Sequence, residues 1–396
     1  MSSSVPLDTE FDVAVVGGGI VGVSAALRAA LAGAKVVIID ADHAGRASAA
    51  GAGIVSPVGL GGDEASQDWS NLVASAISYY DTILEMLRDA GVADVGFARV
   101  GELVVATRDQ DRPRLDELHA RLKVFAAAGI PVGRVERMGA RQMMESWPEL
   151  REDLEGIYIE NIARMDGRRM CAAIGDLAQA KGALLVQGNA TVTLGAGGKC
   201  ALSVEGTTVR PKTIVLASGS WSLPILRQLN VPIEVHPVRG QIVHLGLPGI
   251  ATERRPVINT FEGHYFLGFP GNRVVTGATH EPEAGFDASV TAGGVHAVLS
   301  KALRIAPGLA GASVIETRVG LRPRSSDGYP IVGRPRGPDN VVIATGLGAW
   351  GLTLGPLVGG IAAAHALGLN PSFNSEFLLP DRTPIAAVAV LSPNVQ

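Results

Sequence analysis

The sequence predicts an α/β fold, in which a Rossmann-like domain assembled from discontinuous segments is joined to a second, α+β domain built on an antiparallel sheet. Three observations support this prediction. An apolar run at 11–16 is followed directly by glycines in the pattern G-x-G-x-x-G and then by an Ala/Leu-rich helix. Buried-strand patterns return at 213–217 and 341–344, with short strands and turns between them. The length of 396 residues suits two domains.

The glycine-rich segment after the first strand predicts a phosphate-binding turn. Gly17 allows the tight turn, Gly19 lets the backbone approach a pyrophosphate, and Gly22 lets the next helix pack closely against the strand. The helix that follows directs the positive end of its dipole at whatever the loop binds. Its first residues, Ile20 and Val21, are therefore included in the predicted site.

A second buried strand, 35–39, ends at Asp40. This residue lies about 20 positions beyond the glycines, where the fingerprint places the carboxylate that binds an adenosine ribose. A carboxylate there repels a 2′-phosphate, so NADP is disfavoured. Together with the adjacent Ala41, these residues predict a site for an adenine dinucleotide, and the pattern does not choose between NAD and FAD.

Composition excludes several classes of protein. The net charge is -4 without basic runs, which argues against a nucleic-acid partner. Cys171 and Cys200 provide neither a disulfide framework nor metal-ligand spacing, so we expect no metal and a reducing compartment. The first ten residues lack the pattern of a signal peptide, and the apolar stretch 341–369 is interrupted by glycines and Pro356. We therefore expect a cytoplasmic protein with no transmembrane segment.

The remaining elements follow from periodicity and turn residues. After Asp40, the Gly/Ala/Ser-rich stretch 44–62 is typical of a loop that wraps a ligand and not of another strand-helix unit. Further predicted helices are 70–90, 168–181, 357–367 and one starting after Thr291, and further strands are 101–107, 184–186, 201–204, 207–210, 265–267 and 273–275. We assign 1–93, 148–226 and 322–396 to the cofactor domain, and 94–147 and 227–321 to the substrate domain.

Taken together, these pieces resemble the flavin-dependent amine oxidoreductases of the D-amino acid oxidase family, especially its glycine oxidase and D-amino acid dehydrogenase branches. The matching stretches span nearly the whole chain: 15–22, 46–54 with its Ser-Ala-Ala core, His-Pro-Val-Arg-Gly-Gln at 236–241, Thr-Gly-Ala-Thr at 276–279, Gly-Leu-Arg-Pro at 320–323, Asp-Gly-Tyr-Pro-Ile-Val-Gly at 327–333, and the glycine loop 346–353.

The resemblance implies FAD and a set of contacts to it. Gly17, Gly19, Gly22 and Asp40 would hold the adenosine side. Arg46, Ala47, Ser48, Gly53 and Ile54 would surround the middle and the ring, and Gly348, Ala349, Trp350, Gly351, Leu352 and Thr353 would lie at the far edge of the flavin. Ala217, Ser218, Gly219 and Trp221 match the second cofactor strand, and Thr191 falls where a backbone group meets adenine.

The resemblance also implies how a substrate binds. Arg322 matches the arginine that binds the substrate carboxylate, and a guanidinium offers a planar bidentate fork for that group. Tyr265 matches a tyrosine whose hydroxyl approaches the same carboxylate. The sequence departs from the glycine oxidase branch at Ala349, where that branch has a second arginine. The related sarcosine oxidase branch attaches its flavin through a cysteine near the C-terminal end, and neither Cys171 nor Cys200 lies there, so the resemblance implies FAD held without a covalent bond.

The predicted function is oxidative deamination of a D-amino acid, glycine or a secondary amino acid, with oxygen or a quinone as electron acceptor. Two alternatives stay open at this point. One is an FAD-dependent monooxygenase reduced by NAD(P)H, and the other is a flavin-bearing subunit of a larger dehydrogenase complex. Assembly into a homo-oligomer is a further prediction.

Overall fold

A computed structural model describes residues 10–58, 66–92 and 94–383. The predicted domain limits at residues 1, 93 and 396, and the end of the predicted loop at Gly62, lie outside the described residues. The strands are β1 (Glu10–Val16), β2 (Val36–Asp40), β3 (Ile54–Val55), β4 (Ala98–Arg99), β5 (Glu102–Ala106), β6 (Val135–Gly139), β7 (Glu155–Ile159), β8 (Ala163–Arg164), β9 (Leu184–Gln187), β10 (Ala190–Leu194), β11 (Cys200–Val204), β12 (Thr207–Leu216), β13 (Val235–Gly246), β14 (Val257–Thr260), β15 (Tyr265–Phe269), β16 (Arg273–Gly277), β17 (Ser313–Ser325), β18 (Ile331–Gly333) and β19 (Val341–Thr345). The α-helices are α1 (Ile20–Leu31), α2 (Ala47–Ala50), α3 (Gln67–Asp89), α4 (Arg112–Ala127), α5 (Ala140–Ser146), α6 (Gly167–Ala180), α7 (Ser222–Gln228), α8 (Ala292–Ile305) and α9 (Gly351–Leu367).

The first sheet is parallel at its centre. Its strand order is β10-β11-β12-β1-β2-β9, with β19 joined to β12 and β18 joined to β19. The strands β19, β12, β1, β2 and β9 run parallel to one another, whereas β10, β11 and β18 are antiparallel to their neighbours. Because parallel strands are covered on both faces, β1 and β2 read as continuous apolar runs and are buried.

Helix α1 packs between α6 and α9 on one face of this sheet. Its residues from Ile20 to Ala30 are nearly all buried, which explains the small side chains in its sequence. Within the described residues, the helical stretch Gly348–Leu367 is the one that is long and apolar enough to cross a membrane by length and composition. Of its most apolar window, 67% is buried inside the protein. Its buried residues pack in the hydrophobic core beside α1.

The second sheet has the order β17-β13-β16-β15-β14-β5-β7-β6. Its pairings are antiparallel except between β5 and β14. A small third sheet has the strand order β3-β8-β4. These sheets confirm the predicted α/β fold class, with one mainly parallel and one mainly antiparallel sheet.

The sheets correct the predicted assignment at two boundaries. The sequence places 148–226 in the cofactor domain, but β7 pairs with β5 and β6 in the second sheet. Likewise, β17 continues to Ser325, beyond the predicted boundary at 322. The buried side chains of Ile157 and Ile159 explain the difference, because alternating apolar residues indicate a strand but not the sheet that it joins. The rest of the domain division stays a prediction.

Candidate active site

The glycine loop between β1 and α1 is as tight as the sequence predicts. Gly17 has a φ of +112°, and a Cβ atom there would come within 2.5 Å of the Ala217 carbonyl oxygen. A Cβ atom on Gly22 would come within 1.9 Å of the Gly17 carbonyl oxygen. Gly19 occupies the cap position of α1. The loop therefore brings bare backbone and the N-terminus of a helix to one point, which suits a pyrophosphate.

Two side chains organise the groups around this helix N-terminus. The Oδ1 atom of Asp40 accepts a hydrogen bond from the Gly18 N–H at 3.2 Å, and its Oδ2 atom accepts one from Arg46 Nη1 at 2.9 Å. Arg46 also pairs with Asp42 at 2.6 Å. A carboxylate has about four acceptor positions. Asp40, whose side chain is 22% exposed, therefore retains positions for a ribose hydroxyl.

Ser48 has a structural contact that the sequence does not indicate. Its Oγ accepts a hydrogen bond from the Ile20 N–H at 3.1 Å, which satisfies one of the N–H groups at the start of α1. The segment that carries Ser48 is tied to the second sheet, because the Leu321 N–H donates to the Gly45 carbonyl at 2.8 Å. This loop therefore connects the glycine turn to the strand that carries Arg322.

One cavity of about 630 Å³ brings most of the predicted site residues together. The predicted residues that line it are Gly17, Gly19, Ile20, Val21, Asp40, Ala41, Arg46, Ala47, Ser48, Gly53, Ile54, Ala217, Ser218, Gly219, Trp221, Tyr265, Arg322, Gly348, Ala349, Trp350, Gly351, Leu352 and Thr353. The cavity thus extends from the glycine loop of the first sheet to the face of the second sheet.

Two predicted residues do not line this cavity. Gly22 lies behind the turn, where its missing side chain permits the contact between α1 and β1. Thr191 is exposed on β10, where it pairs with Ser203, while its neighbours Asn189 and Ala190 line the cavity. The prediction for Thr191 concerns a backbone group and stays a prediction.

Arg322 is held on the cavity wall by backbone groups. Its Nη1 donates to the Thr279 carbonyl at 3.2 Å, and its guanidinium lies over Gly240, where a Cβ atom would be 2.2 Å from Nη1. Thr279 is itself fixed, because its hydroxyl donates to Glu281 at 2.5 Å and accepts from the Gln241 N–H at 2.9 Å. The guanidinium therefore has a defined position, and it also lies within hydrogen-bonding reach of the Tyr265 hydroxyl.

Tyr265 lies on the same wall. Burial raises the pKa of its phenol, and the charge of the neighbouring Arg322 guanidinium opposes that rise. The hydroxyl therefore stays protonated at neutral pH and is a hydrogen-bond donor beside Arg322. His280 lines no part of this cavity, and burial together with the positive charges of Arg322 and Arg324 lowers the pKa of its imidazole.

Sequence reasoning missed several residues of the cavity. Asn259 and Ser56 line it, and both donate to the fully buried Glu102. A single acid in the otherwise apolar segment ELVVA of β5 is the signal that could have identified this group. Trp69 and Tyr329 also line the cavity, with ring centroids 5.0 Å apart. No residue pattern in the sequence connects these two aromatic side chains.

The structure locates the cysteines and the possible metal ligands of its described residues. Within 10–58, 66–92 and 94–383, no group of three His, Cys, Asp or Glu side chains is arranged to hold a metal ion. The cavity lining contains neither Cys171 nor Cys200. Burial raises the pKa of the Cys171 thiol to about 12, so it is not a nucleophile at neutral pH.

Fold and site together define a class of protein with a glycine-rich dinucleotide-binding turn, in which one cavity extends from that turn to the second sheet. A family model described as DAO, FAD dependent oxidoreductase, matches residues 12–365. The chain belongs to this family and its cofactor is FAD. The glycine cradle at Gly17, the N-terminus of α1 and the carboxylate of Asp40 fit the pyrophosphate and ribose of that cofactor.

Comparison with individual proteins agrees with the family. The chain is similar to the uncharacterized oxidoreductase YurR of Bacillus subtilis (strain 168), with 35% identity over 89% of this chain and 94% of that protein. It resembles the crystal structure of iminodiacetate oxidase from Chelativorans sp. BNC1, with 40% identity, a TM-score of 0.88 and coverage of 93% and 100% of the two chains. It also resembles glycine oxidase from Geobacillus kaustophilus, with 25% identity, a TM-score of 0.83 and coverage of 94% and 99%.

Proposed function

We propose that this protein oxidises the amine of a small carboxylated substrate, most simply a D-amino acid, glycine or a secondary amino acid. The observation that carries the proposal is the position of Arg322 in the same cavity as the glycine loop and the segment 348–353. A carboxylate paired with this guanidinium would hold the adjacent carbon and amine in the cavity. Bound FAD supplies the acceptor for a hydride.

The side chains of this cavity would act by orientation. Arg322 would pair with the substrate carboxylate through its fork of N–H groups, and Tyr265 would donate a hydrogen bond to the same group. The neutral amine would give up a hydride from its α-carbon to the acceptor that bound FAD supplies and become an iminium ion, which releases its N–H proton to water to give the imine. Water then converts the imine into a 2-oxo acid and releases ammonia or the second amine. Because the neutral amine reacts, no protein general base is required.

The names of the similar proteins support this substrate class. One solved neighbour is an iminodiacetate oxidase and another is a glycine oxidase, and both of those substrates are amines next to a carboxylate. Ala349 is exposed and lines the cavity. The short side chain at this position, where the glycine oxidase branch has an arginine, supports a substrate larger than glycine. The electron acceptor, a cytoplasmic location and a homo-oligomer stay predictions.

An anaerobic screen tests the proposal. The purified yellow protein is mixed with D- and L-amino acids, glycine, sarcosine and iminodiacetate, and loss of the oxidised flavin absorbance is recorded. We expect at least one carboxylated amine to bleach the flavin, and the corresponding amine without its carboxylate to leave it oxidised. Repeating the reaction in air with peroxide detection separates an oxidase from a dehydrogenase.

Two outcomes would contradict the proposal. Bleaching by NADH or NADPH but by none of the amines would indicate a monooxygenase. A flavin that neither amines nor nicotinamides reduce would indicate a subunit that receives electrons from a partner.

A further inference from the structure

Helix α9 contains a proline at a position where a helix normally forms a backbone hydrogen bond. Pro356 lies inside the helix, five residues after its first residue, Gly351. In a regular α-helix the N–H of residue 356 would donate to the carbonyl of Leu352, four residues earlier. Proline has no N–H, and its ring crowds that carbonyl. Pro356 therefore removes the usual helical partner of the Leu352 carbonyl.

Tyr80 of helix α3 supplies the missing donor. Its hydroxyl donates a hydrogen bond to the Leu352 carbonyl. Tyr80 is fully buried, and its ring stacks on Phe97 with the ring centroids 5.5 Å apart. Burial raises the pKa of its phenol well above the ordinary value, so the hydroxyl keeps the proton that it donates. A buried carbonyl left without a partner would cost about 1–3 kcal/mol.

Helix α3 contacts the same segment at a second point. The ring of Trp69 meets the ring of Trp350 edge-on, with the centroids 5.2 Å apart. Trp69 and Tyr80 are separated by 11 positions, which is about three helical turns, so they lie on the same side of α3. One side of α3 therefore contacts the glycine loop segment 348–353 both before and after Gly351.

The turn that Tyr80 contacts lies at the cavity. Gly351, Leu352 and Thr353 all line the cavity, and the start of α9 presents the positive end of its helix dipole there. The Thr353 hydroxyl donates to the Ile54 carbonyl at 3.4 Å. The Leu352 side chain fills the space beside Gly51, where a Cβ atom would be 2.8 Å from its Cδ1. A small movement of this turn therefore changes the backbone that the cavity presents to a ligand.

We propose that Tyr80 is a positioning residue for the flavin site. Its hydroxyl replaces the partner that Pro356 removes from the Leu352 carbonyl, and it thereby fixes the first turn of α9 at the place where the flavin binds. The proline lets α3 set the position of this turn, because one bond that would tie it to the rest of α9 is missing. The inference rests on FAD as the cofactor and on the predicted contact of 348–353 with it. It does not depend on which substrate reduces the flavin.

Tyr80→Phe removes only the hydroxyl and tests the proposal without a substrate. We expect the affinity of the apoprotein for FAD, measured by calorimetric titration, to fall about fivefold to fiftyfold. The midpoint potential of the bound flavin, measured against a reference dye, should become more negative, because the positive end of α9 is less well directed at the more negative reduced flavin. A contact that serves only folding would lower Tm and leave this potential unchanged.

Tyr79→Phe is the matched control. Tyr79 is the preceding residue of α3, and its hydroxyl lies beside Gly360, farther along α9, where a Cβ atom would be 3.2 Å from it. This variant removes the same group at a distance from the first turn of α9. We expect its FAD affinity and flavin potential to match those of wild type.

Pro356→Ala tests the link between the proline and the tyrosine. The new N–H at residue 356 can donate to the Leu352 carbonyl, so adding Tyr80→Phe to this variant should lower FAD affinity less than about twofold. If Tyr80→Phe alone does not fold, the double variant should fold and bind FAD, and its failure to do so would contradict the proposal.

Three results would overturn the inference: wild-type FAD affinity and potential in Tyr80→Phe, an equal loss of FAD affinity with Pro356 and with Ala at position 356, or the same changes in Tyr79→Phe. Failure of every amine to reduce the flavin would instead contradict the proposed oxidation. The two failures are distinguishable because FAD binding and potential are measured without an amine.

Discussion

The guanidinium of Arg322 occupies the space that a side chain on Gly240 would take, because a Cβ atom on Gly240 would lie 2.2 Å from Nη1 and 2.4 Å from the central carbon of the guanidinium. Gly240 on β13 pairs with Gly320 on β17, and Gly320 lies two residues before Arg322 on the same strand. The absence of side chains at this point lets a long side chain cross the neighbouring strand. The position of the predicted carboxylate-binding group thus depends on a glycine far away in the sequence.

This contact predicts that Gly240→Ala impairs catalysis without removing any polar group. The added methyl group displaces the guanidinium, and a misplacement of about 1 Å costs roughly a hundredfold in rate. We expect kcat/KM for the carboxylated amine to fall by about tenfold to a hundredfold. The control is Gly293→Ala, at the start of α8, where an added Cβ atom meets no atom within 4 Å. Equal kcat/KM values for both variants would contradict this role of Gly240.

A second prediction concerns the glycine turn. In Gly22→Ala the new methyl group would overlap the Gly17 carbonyl, which lies 1.9 Å from the Cβ position, so the turn that cradles the pyrophosphate must move. Overpacking of this kind costs about 1–3 kcal/mol, and we expect weaker FAD retention and a lower Tm. Gly175→Ala, on the adjacent helix α6, is the comparison, because its Cβ atom would meet Val23 at an ordinary 3.5 Å. That variant should retain FAD, and Gly22→Ala with wild-type retention would be inconsistent with the tight turn.

A third prediction separates the two acids that Arg46 bridges. Asp40→Ala removes the predicted ribose acceptor and the bond to the Gly18 N–H, whereas Asp42→Ala removes only the partner 2.6 Å from Arg46. We expect FAD to dissociate about tenfold more readily from the first variant, the loss of a hydrogen bond of roughly 1.5 kcal/mol. Equilibrium dialysis of each variant against FAD measures this difference in FAD affinity. If both variants release FAD equally, the acids act only through Arg46 and the ribose assignment is wrong.

A fourth prediction is an acid-dependent loss of stability. Burial lowers the pKa of His264 to about 3, and burial together with the charge of Arg318 lowers the pKa of His244 to about 4. In the unfolded chain both imidazoles titrate near 6.5. As the pH falls below about 6.5, the unfolded state binds protons that the folded state excludes, so the free energy of unfolding decreases by about 1.4 kcal/mol per pH unit for each group.

Urea unfolding between about pH 5 and pH 7 measures this effect, because most carboxylates stay ionised in that range. His264→Gln preserves a group that can bond to the Thr276 hydroxyl, which lies 2.8 Å from His264 Nε2. We expect this variant to be less stable than wild type at neutral pH and to show a shallower pH dependence. An unchanged slope would mean that His264 is protonated in the folded protein.

The parts of the site that depend on local sequence could be predicted, whereas those assembled by pairing of distant strands could not. The glycine turn, α1 and Asp40 follow from neighbouring residues, and they line the cavity or shape it. Glu102 and Asn259 are 157 positions apart and meet only because β5 and β14 pair. No spacing rule connects such residues, so sequence reasoning did not identify them.

Resemblance to a family provided what local rules could not, within limits set by geometry. It indicated Arg322 and Tyr265, and the structure brings them to one wall. It also indicated Thr191, which faces solvent on β10 beside residues that do line the cavity. The ion pair between Asp40 and Arg46 was not predicted either. The resemblance assigned each of these residues a separate contact with the cofactor, and it gave no sign that they contact each other.

The proposed function depends most on the pairing of Arg322 with a substrate carboxylate. Anaerobic stopped-flow reduction of the flavin by the best carboxylated amine, compared between wild type, Arg322→Ala and the exposed control Arg210→Ala, tests it most directly. An unpaired desolvated carboxylate costs about 3–5 kcal/mol, so Arg322→Ala should lower the second-order rate constant of reduction by roughly a hundredfold to several thousandfold. Arg210→Ala should match wild type. A near-native rate constant in Arg322→Ala, with FAD fully bound, would contradict the account.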